Sequence, residues 1–156
     1  MKNAIISSVA LSVICVSPLA LAKVNGPTMM SVENIGVSEV LAWSWGASNA
    51  GSFHTGGGGG AGKANFQDIS ITRFSDSQSA ALLAAVANGD SIGNVEMKRE
   101  GLLIRMERVL VTSYSVGGMT DKKAAQTENI SLNFAKVWFE IDGSGYCYSM
   151  DDTNPC

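Results

Sequence analysis

Histidine is nearly absent from this chain: His54 is the only one in 156 residues. Any Ser-His-Asp or Cys-His constellation would have to pass through it. It sits between Phe53 and Thr55 at the edge of a glycine-rich loop, with no rigid element to orient it, so it reads as a solvated loop side chain. Basic residues are scarce as well, 11 Lys and Arg against 14 Asp and Glu, and they form neither a block nor a Lys/Arg-rich helix. The electrostatic footprint of a nucleic-acid binder is therefore missing. Spaced carboxylate pairs are also lacking, since Asp151 and Asp152 are adjacent and lie near the C-terminus. The residues offer no catalytic site and call for no cofactor, and no internal repeat is visible.

Long uncharged runs are limited to one. Lys2 precedes Ala4 to Leu21, which carries no charge and leads into Ala20-Leu21-Ala22, an A-x-A-like cleavage site. Pro18 interrupts the run just before that site, which argues against a membrane span of roughly 20 apolar residues. Ser12-Val13-Ile14 before Cys15 lacks the pattern of a lipidated cysteine. Residues 1–22 are thus expected to be a secretory signal cleaved after Ala22, giving a secreted or periplasmic protein without stable membrane insertion. The remainder suits one domain, over residues 23–141, followed by a tail over 142–156. Lys2 leaves with the signal, so the 11 basic residues fall by one, the 14 acidic ones stay, and the net charge moves one unit below −3.

Cysteine is sparse too, with three in all, and Cys15 falls in the signal. Cys147 and Cys156 remain, close together in a Gly-, Asp- and Pro-containing tail. In an exported chain two such thiols invite a disulfide that limits fraying of the tail. The other use, a metal pair, lacks the further ligands of a tetrahedral set.

What is abundant is period-two alternation. Lys23 to Gly36 is a polar lead-in without a strong period. From Val37, the residues Val37, Glu39, Leu41, Trp43 and Trp45 fall on one face, and Ser38, Val40, Ala42 and Ser44 on the other, as in a strand. Asn49 to Gly62 is a loop holding Gly56 to Gly60, and Lys63 to Phe74 alternates again. One helix follows. Ser75 with Gln78 fits a capping box, Ala80, Leu83, Ala84 and Ala87 share a face, and Gly89 stands where a left-handed C-cap belongs. Arg99-Glu100-Gly101 reads as a tight hairpin turn between Asn94–Lys98 and a long strand over Leu102–Ser115. Thr127 to Ile141 reads as the last long strand. Strands at this spacing with one helix imply a mainly β barrel or sandwich with an appended helix.

Gly57-Gly58-Gly59-Gly60-Ala61-Gly62-Lys63 satisfies most of a phosphate-loop pattern, but the final Ser or Thr is replaced by Ala64, which cannot hold magnesium. Strand-like alternation follows it, where that motif needs a helix. A surface loop is the better reading. Trp43 and Trp45 are two apart on a strand face. They could form a sugar-stacking platform; packing in the core, or at a subunit interface where Trp is enriched, is the reading preferred here.

Val40-Leu41-Ala42-Trp43-Ser44-Trp45-Gly46, the glycine stretch with Gly62-Lys63, and Gln67 to Phe74 closely resemble the Hcp family of type VI secretion. Leu82-Leu83 with Gly89, Val109 to Ser115 with Gly117-Gly118, and Thr127 to Lys136 continue the likeness, which runs from about Val37 to Phe139. The resemblance implies a β-barrel with one helix on its side, six copies closing into a ring, and rings stacking into a tube that carries effectors in its lumen. It implies no enzymatic activity. The partners it implies are further copies of the chain, secretion-system components and effector proteins. It sets Trp43, Trp45, Gly56, Gly57, Gly58, Gly59, Gly60 and Lys63 at subunit or ring contacts, the glycine loop extending onto a neighbour.

Overall fold

Thr28-Met29-Met30-Ser31-Val32 alternates buried and exposed side chains and forms strand β1 (Thr28–Val32) of the computed structural model, which describes residues 26–51, 62–118 and 125–156. The segment expected to be an irregular lead-in therefore contains a strand. The expected signal (residues 1–22), His54 and Gly56 to Gly60 lie outside the described residues. A short turn, with Asn34 at φ 60° and Gly36 at φ 142°, reverses the chain into β2 (Gly36–Ser44). A Cβ on Gly36 would come within 2.9 Å of the Gln78 amide, so glycine is needed there for space as well as for backbone angle.

β2 changes face halfway along. Val40 pairs with Arg73 and Ala42 with Thr72, leaving Leu41 as an extra, bulged residue. Ahead of the bulge Ser38 and Val40 point inward while Val37 and Leu41 are exposed; beyond it Trp43 is the inward residue, paired with Ile71. The expected single face from Val37 to Trp45 is thus split, because one inserted residue inverts a period of two.

The remaining elements are β3 (Ala47–Asn49), β4 (Ala64–Phe66), β5 (Ile69–Phe74), α1 (Ser79–Asn88), β6 (Val95–Arg99), β7 (Leu102–Glu107), β8 (Leu110–Gly117), β9 (Thr127–Asn133), β10 (Lys136–Ile141), β11 (Ser144–Ser149) and β12 (Asn154–Pro155). β3 and β4 pair with each other alone and form a short arm. The other ten strands make one antiparallel sheet in the order β12-β11-β10-β7-β6-β1-β2-β5-β9-β8. Its inward residues, among them Met30, Ile69, Ile71, Met97, Ile104, Met106, Ile130 and Leu132, make a single core.

Two strands expected to be continuous are broken at one corner. Arg108, at φ 53°, separates β7 from β8, and the Phe134-Ala135 link separates β9 from β10. The breaks lie against each other, with the Ala135 N–H donating to the Glu107 carbonyl at 3.1 Å. β7 then pairs with β10 and β8 with β9, so at this corner the β7–β10 and β8–β9 pairs are linked through the chain and not through a ladder. The expected barrel is corrected accordingly: the protein is mainly β, but its sheet is not closed by hydrogen bonds. α1 packs on β8 and sends Leu82 into the core, and the link after the helix is tied to the start of β8 by Ile92 N–H to Val109 O and Val109 N–H to Gly93 O.

The helix ends as expected on Gly89, at φ 72°, whose N–H donates to Ala85 O. Its start differs. Gln78 is the N-cap without a side-chain cap, because its amide is used elsewhere, donating to Val37 O at 2.9 Å. Asp76 braces the turn instead, accepting from the Gln78 N–H at 2.8 Å. The two-residue turn at Glu100-Gly101 is as expected, with Arg99 opposite Leu102 and Gly101 at φ 72°. The tail extends the sheet, β11 pairing with β10 and β12 with β11. Among the described residues no helix is long and apolar enough to cross a membrane.

Candidate functional site

The features with the most chemistry are contact surfaces and the groups that hold them. The arm is clasped at both ends of its ladder. The Gln67 N–H donates to Gly46 O at 2.9 Å, and the Asn49 side-chain amide donates to Gly62 O at 2.7 Å. Gly62 lies so close to this clasp that a Cβ would come within 2.8 Å of the Gly51 nitrogen. The chain thus leaves and re-enters the arm through a narrow gate, on which the expected contact loop is mounted.

Trp45 anchors the other end of the arm, beside Gln67. Its indole N–H donates to Gln67 O at 2.9 Å, and its ring lies 5.8 Å from Phe66, 6.0 Å from Phe134 and 5.7 Å from Phe139. Trp43 is half-buried against the core. Neither ring forms an open platform. Lys63 is exposed and lines a cleft of about 230 Å3 with Phe66, Tyr148 and Met150. The structure therefore sets Trp45 at the Ala47–Phe66 end of the arm and Lys63 beyond its Asn49–Ala64 end, and seats Trp43 further back along β2.

A second constellation was not foreseen from sequence. Arg73 on β5 and Glu128 on β9 are register partners and both fully buried. Arg73 Nε is 3.1 Å from Glu128 Oε1 as an ion pair, while the same N–H donates to Phe74 O. The Arg73 guanidinium also pairs with Asp76, and it donates to the Gln78 side-chain oxygen at 3.4 Å. Tyr114 donates its hydroxyl to Glu128 Oε2 at 2.7 Å. Partial burial first, and then this hydrogen bond to a carboxylate, hold the Tyr114 phenol above the ordinary value of 10.0. The cluster ties β5, β8 and β9 to the turn leading into α1. Parity could have revealed it, since Arg73 follows Ile69 and Ile71 on the inward face and Glu128 precedes Ile130 and Leu132.

The structure joins Cys147 and Cys156 as a disulfide, their Cα atoms 5.2 Å apart, which fastens β12 to the outer edge of β11. Exposed large apolar side chains lie at both ends of the strand order, besides Met29, Val37, Leu41 and Phe74 on its central strands. Leu83 on α1 with Leu110 and Val116 on β8 lie at one end, and Trp138, Ile141 and Tyr146 on β10 and β11 lie at the other. The two sets differ in shape and chemistry, so neither is a copy of the other.

Comparison with known proteins places these features. The family described as "Type VI secretion system effector, Hcp" matches residues 19–141. The chain is 43% identical over 84 residues to Protein hcp1 of Pseudomonas aeruginosa, an alignment covering 48% of this chain and 51% of that protein, so that it spans about half of that relative's length. In fold it resembles a solved type six secretion system protein, with TM-score 0.76, 20% identity, and coverage of 83% of this chain and 99% of that one. It also resembles Hcp1 from Salmonella typhimurium, with TM-score 0.69, 20% identity, and coverage of 83% and 98%. A family match over most of the sequence, with the fold to go with it, makes this chain a member of the Hcp family of type VI secretion.

Proposed function

We propose that the chain is a non-enzymatic structural subunit that closes head to tail into a six-membered ring, and that the rings stack into a tube whose lumen can carry effectors. The observation that carries this reading is the pair of unlike apolar surfaces at the two ends of the sheet. Apolar side chains left in water at two sites mark contact surfaces. Two unlike surfaces that meet each other give a heterologous contact, which repeats until it closes into a ring. The arm and its glycine loop, through Gly56 to Gly60 and Lys63, serve as the contact to a neighbouring subunit or ring, with Trp43 and Trp45 fixing its root.

The protein acts after export, residues 1–22 being removed as a signal. The tail disulfide supports this, because such bonds persist in oxidising compartments. Partners are further copies of the chain, secretion-system components and effector proteins. An exported binding module without a tube function would be favoured by an exposed Trp43 or Trp45, but Trp43 is half-buried against the core. Trp45 is engaged in an aromatic cluster.

The test is the solution mass, by light scattering, of the chain starting at Lys23. Six subunits are expected. A monomer at tens of micromolar would overturn the ring and turn the search to a ligand for a free-standing domain.

A further inference from the structure

The tail and the arm are separate pieces of sheet that touch at one place. β12 is only two residues long, and a ladder that short does not hold itself. It is kept on β11 by the Cys147–Cys156 disulfide, by Cys156 N–H donating to Cys147 O at 3.3 Å, and by the turn between them. In that turn Ser149 Oγ donates to Asp152 at 2.9 Å, Arg108 pairs with Asp151, and Met150 N–H donates to Ala135 O.

This closed segment presents Tyr148 to the arm. Its ring lies 4.6 Å from that of Phe66, and Phe66 in turn stacks on Trp45. The arm has three residue pairs, too few to be ordered alone, so its order rests on its two clasps and on what Phe66 packs against.

We infer that the Cys147–Cys156 disulfide is a redox-sensitive strut that holds Tyr148 against Phe66 and so sets the rigidity of the β3–β4 arm. Cys156 is exposed and Cys147 is 9% exposed, so an external thiolate meets Cys156 first. A thiolate of a dithiol reductant attacks Cys156 Sγ, the S–S bond breaks, and Cys147 leaves as a thiolate that takes up a proton. The reductant's second thiolate then attacks its own sulfur in the mixed disulfide and releases Cys156. Two electrons pass to the protein, which gains two thiols, and the reductant departs as a cyclic disulfide. β12 is then free to leave β11, and Tyr148 loses its neighbour on that side, Pro155, while its β10 partner Val137 stays. The inference stands on this fold alone; under the ring reading it also gives the contact arm a redox control.

Amide hydrogen exchange, followed by mass spectrometry on the full chain before and after dithiothreitol, tests it. Reduction is expected to speed exchange of residues 47–49 and 64–66 about fivefold, the scale of one lost aromatic pair, and to leave the β6–β7 hairpin unchanged. In the oxidised protein Tyr148→Ala should give the same acceleration with the disulfide intact, and Tyr148→Phe should not. An arm indifferent to reduction overturns the strut, as does acceleration spread equally over β6 and β7. Light scattering of the same samples separates the two ideas: a redox-responsive arm on a monomer keeps the strut and sinks the ring, and a hexamer with an indifferent arm does the reverse.

Discussion

Arg73 and Glu128 face each other across β5 and β9, both fully buried, with the guanidinium Nε 3.1 Å from the carboxylate. Charges taken out of water are tolerated only when paired, so the pair is far more sensitive to loss of one member than of both. Glu128→Gln or Arg73→Met alone is expected to cost about 3–5 kcal/mol of unfolding free energy. The double variant Arg73→Met/Glu128→Leu should cost less than either single one, because no uncompensated charge remains. Urea unfolding of the three proteins checks this; strictly additive losses would refute the coupling.

The same cluster sets an alkaline limit. The Tyr114 phenol is held above 10.0 by partial burial and by donating to Glu128, so the folded protein favours the protonated form more than the unfolded chain does. A group raised on folding contributes stability that is complete below the unfolded value and is lost as pH climbs toward the folded one. Tyr114→Phe should therefore cost about 1–3 kcal/mol at neutral pH, the range for a hydrogen bond to a charged acceptor. The gap to the parent protein should narrow as pH rises above 10. A gap constant through that range would remove Tyr114 from the account.

How legible this was depended on whether local chemistry or tertiary context decided each element. Gly89 and Gly101 were read correctly because each supplies a positive φ that its turn demands. The family was legible from the tryptophan and glycine blocks in their order. β1 was missed because Met29, an apolar residue on the outer face, blurs the alternation of Thr28, Met30 and Val32. The helix start was misplaced because Gln78 bonds to Val37, far away in the chain, instead of closing a capping box. Strand content left a barrel or a sandwich open and the family resemblance implied the barrel, whereas the break at Arg108 is a backbone feature that no side-chain period marks. In the candidate site, Trp45 was legible as a packing residue, and its ring lies against Phe66, Phe134 and Phe139. Arg73 and Glu128 were passed over because charged residues are taken for outward ones by default.

The bulge at Leu41 carries its own prediction. It moves the inward register from Ser38 and Val40 to Trp43. Deleting Leu41 and Ala42 together would set Val40 and Trp43 side by side and send one of them outward, since neighbours on a strand face opposite ways. The deletion is expected to cost at least ~3 kcal/mol, the scale of losing a large buried side chain. Leu41→Ser, which keeps the count and changes only an exposed side chain, should stay within about 0.5 kcal/mol of the parent. Thermal melts of the two variants give the comparison, and equal stabilities would mean that residue count does not set the register here.

The head-to-tail contact can be tested by mixing variants. Leu83→Glu places a charge at the α1–β8 end of the sheet, and Tyr146→Glu places one at the β10–β11 end; both side chains are more than half exposed, so folding should be little affected. If unlike surfaces meet, either variant alone lacks one half of every junction and should run as a monomer. Mixed together, one variant supplies an intact α1–β8 end and the other an intact β10–β11 end, so a single sound junction forms and growth stops there. The mixture should then give heterodimers by native mass spectrometry, at about the affinity of one ring contact. A like-to-like interface would behave differently, because one of the two variants would keep its contact and self-associate without its partner. Hexamers from either variant alone would place the junction elsewhere on the molecule, and the outward apolar residues Met29, Val37 and Phe74 of β1, β2 and β5 would be the next surface to charge.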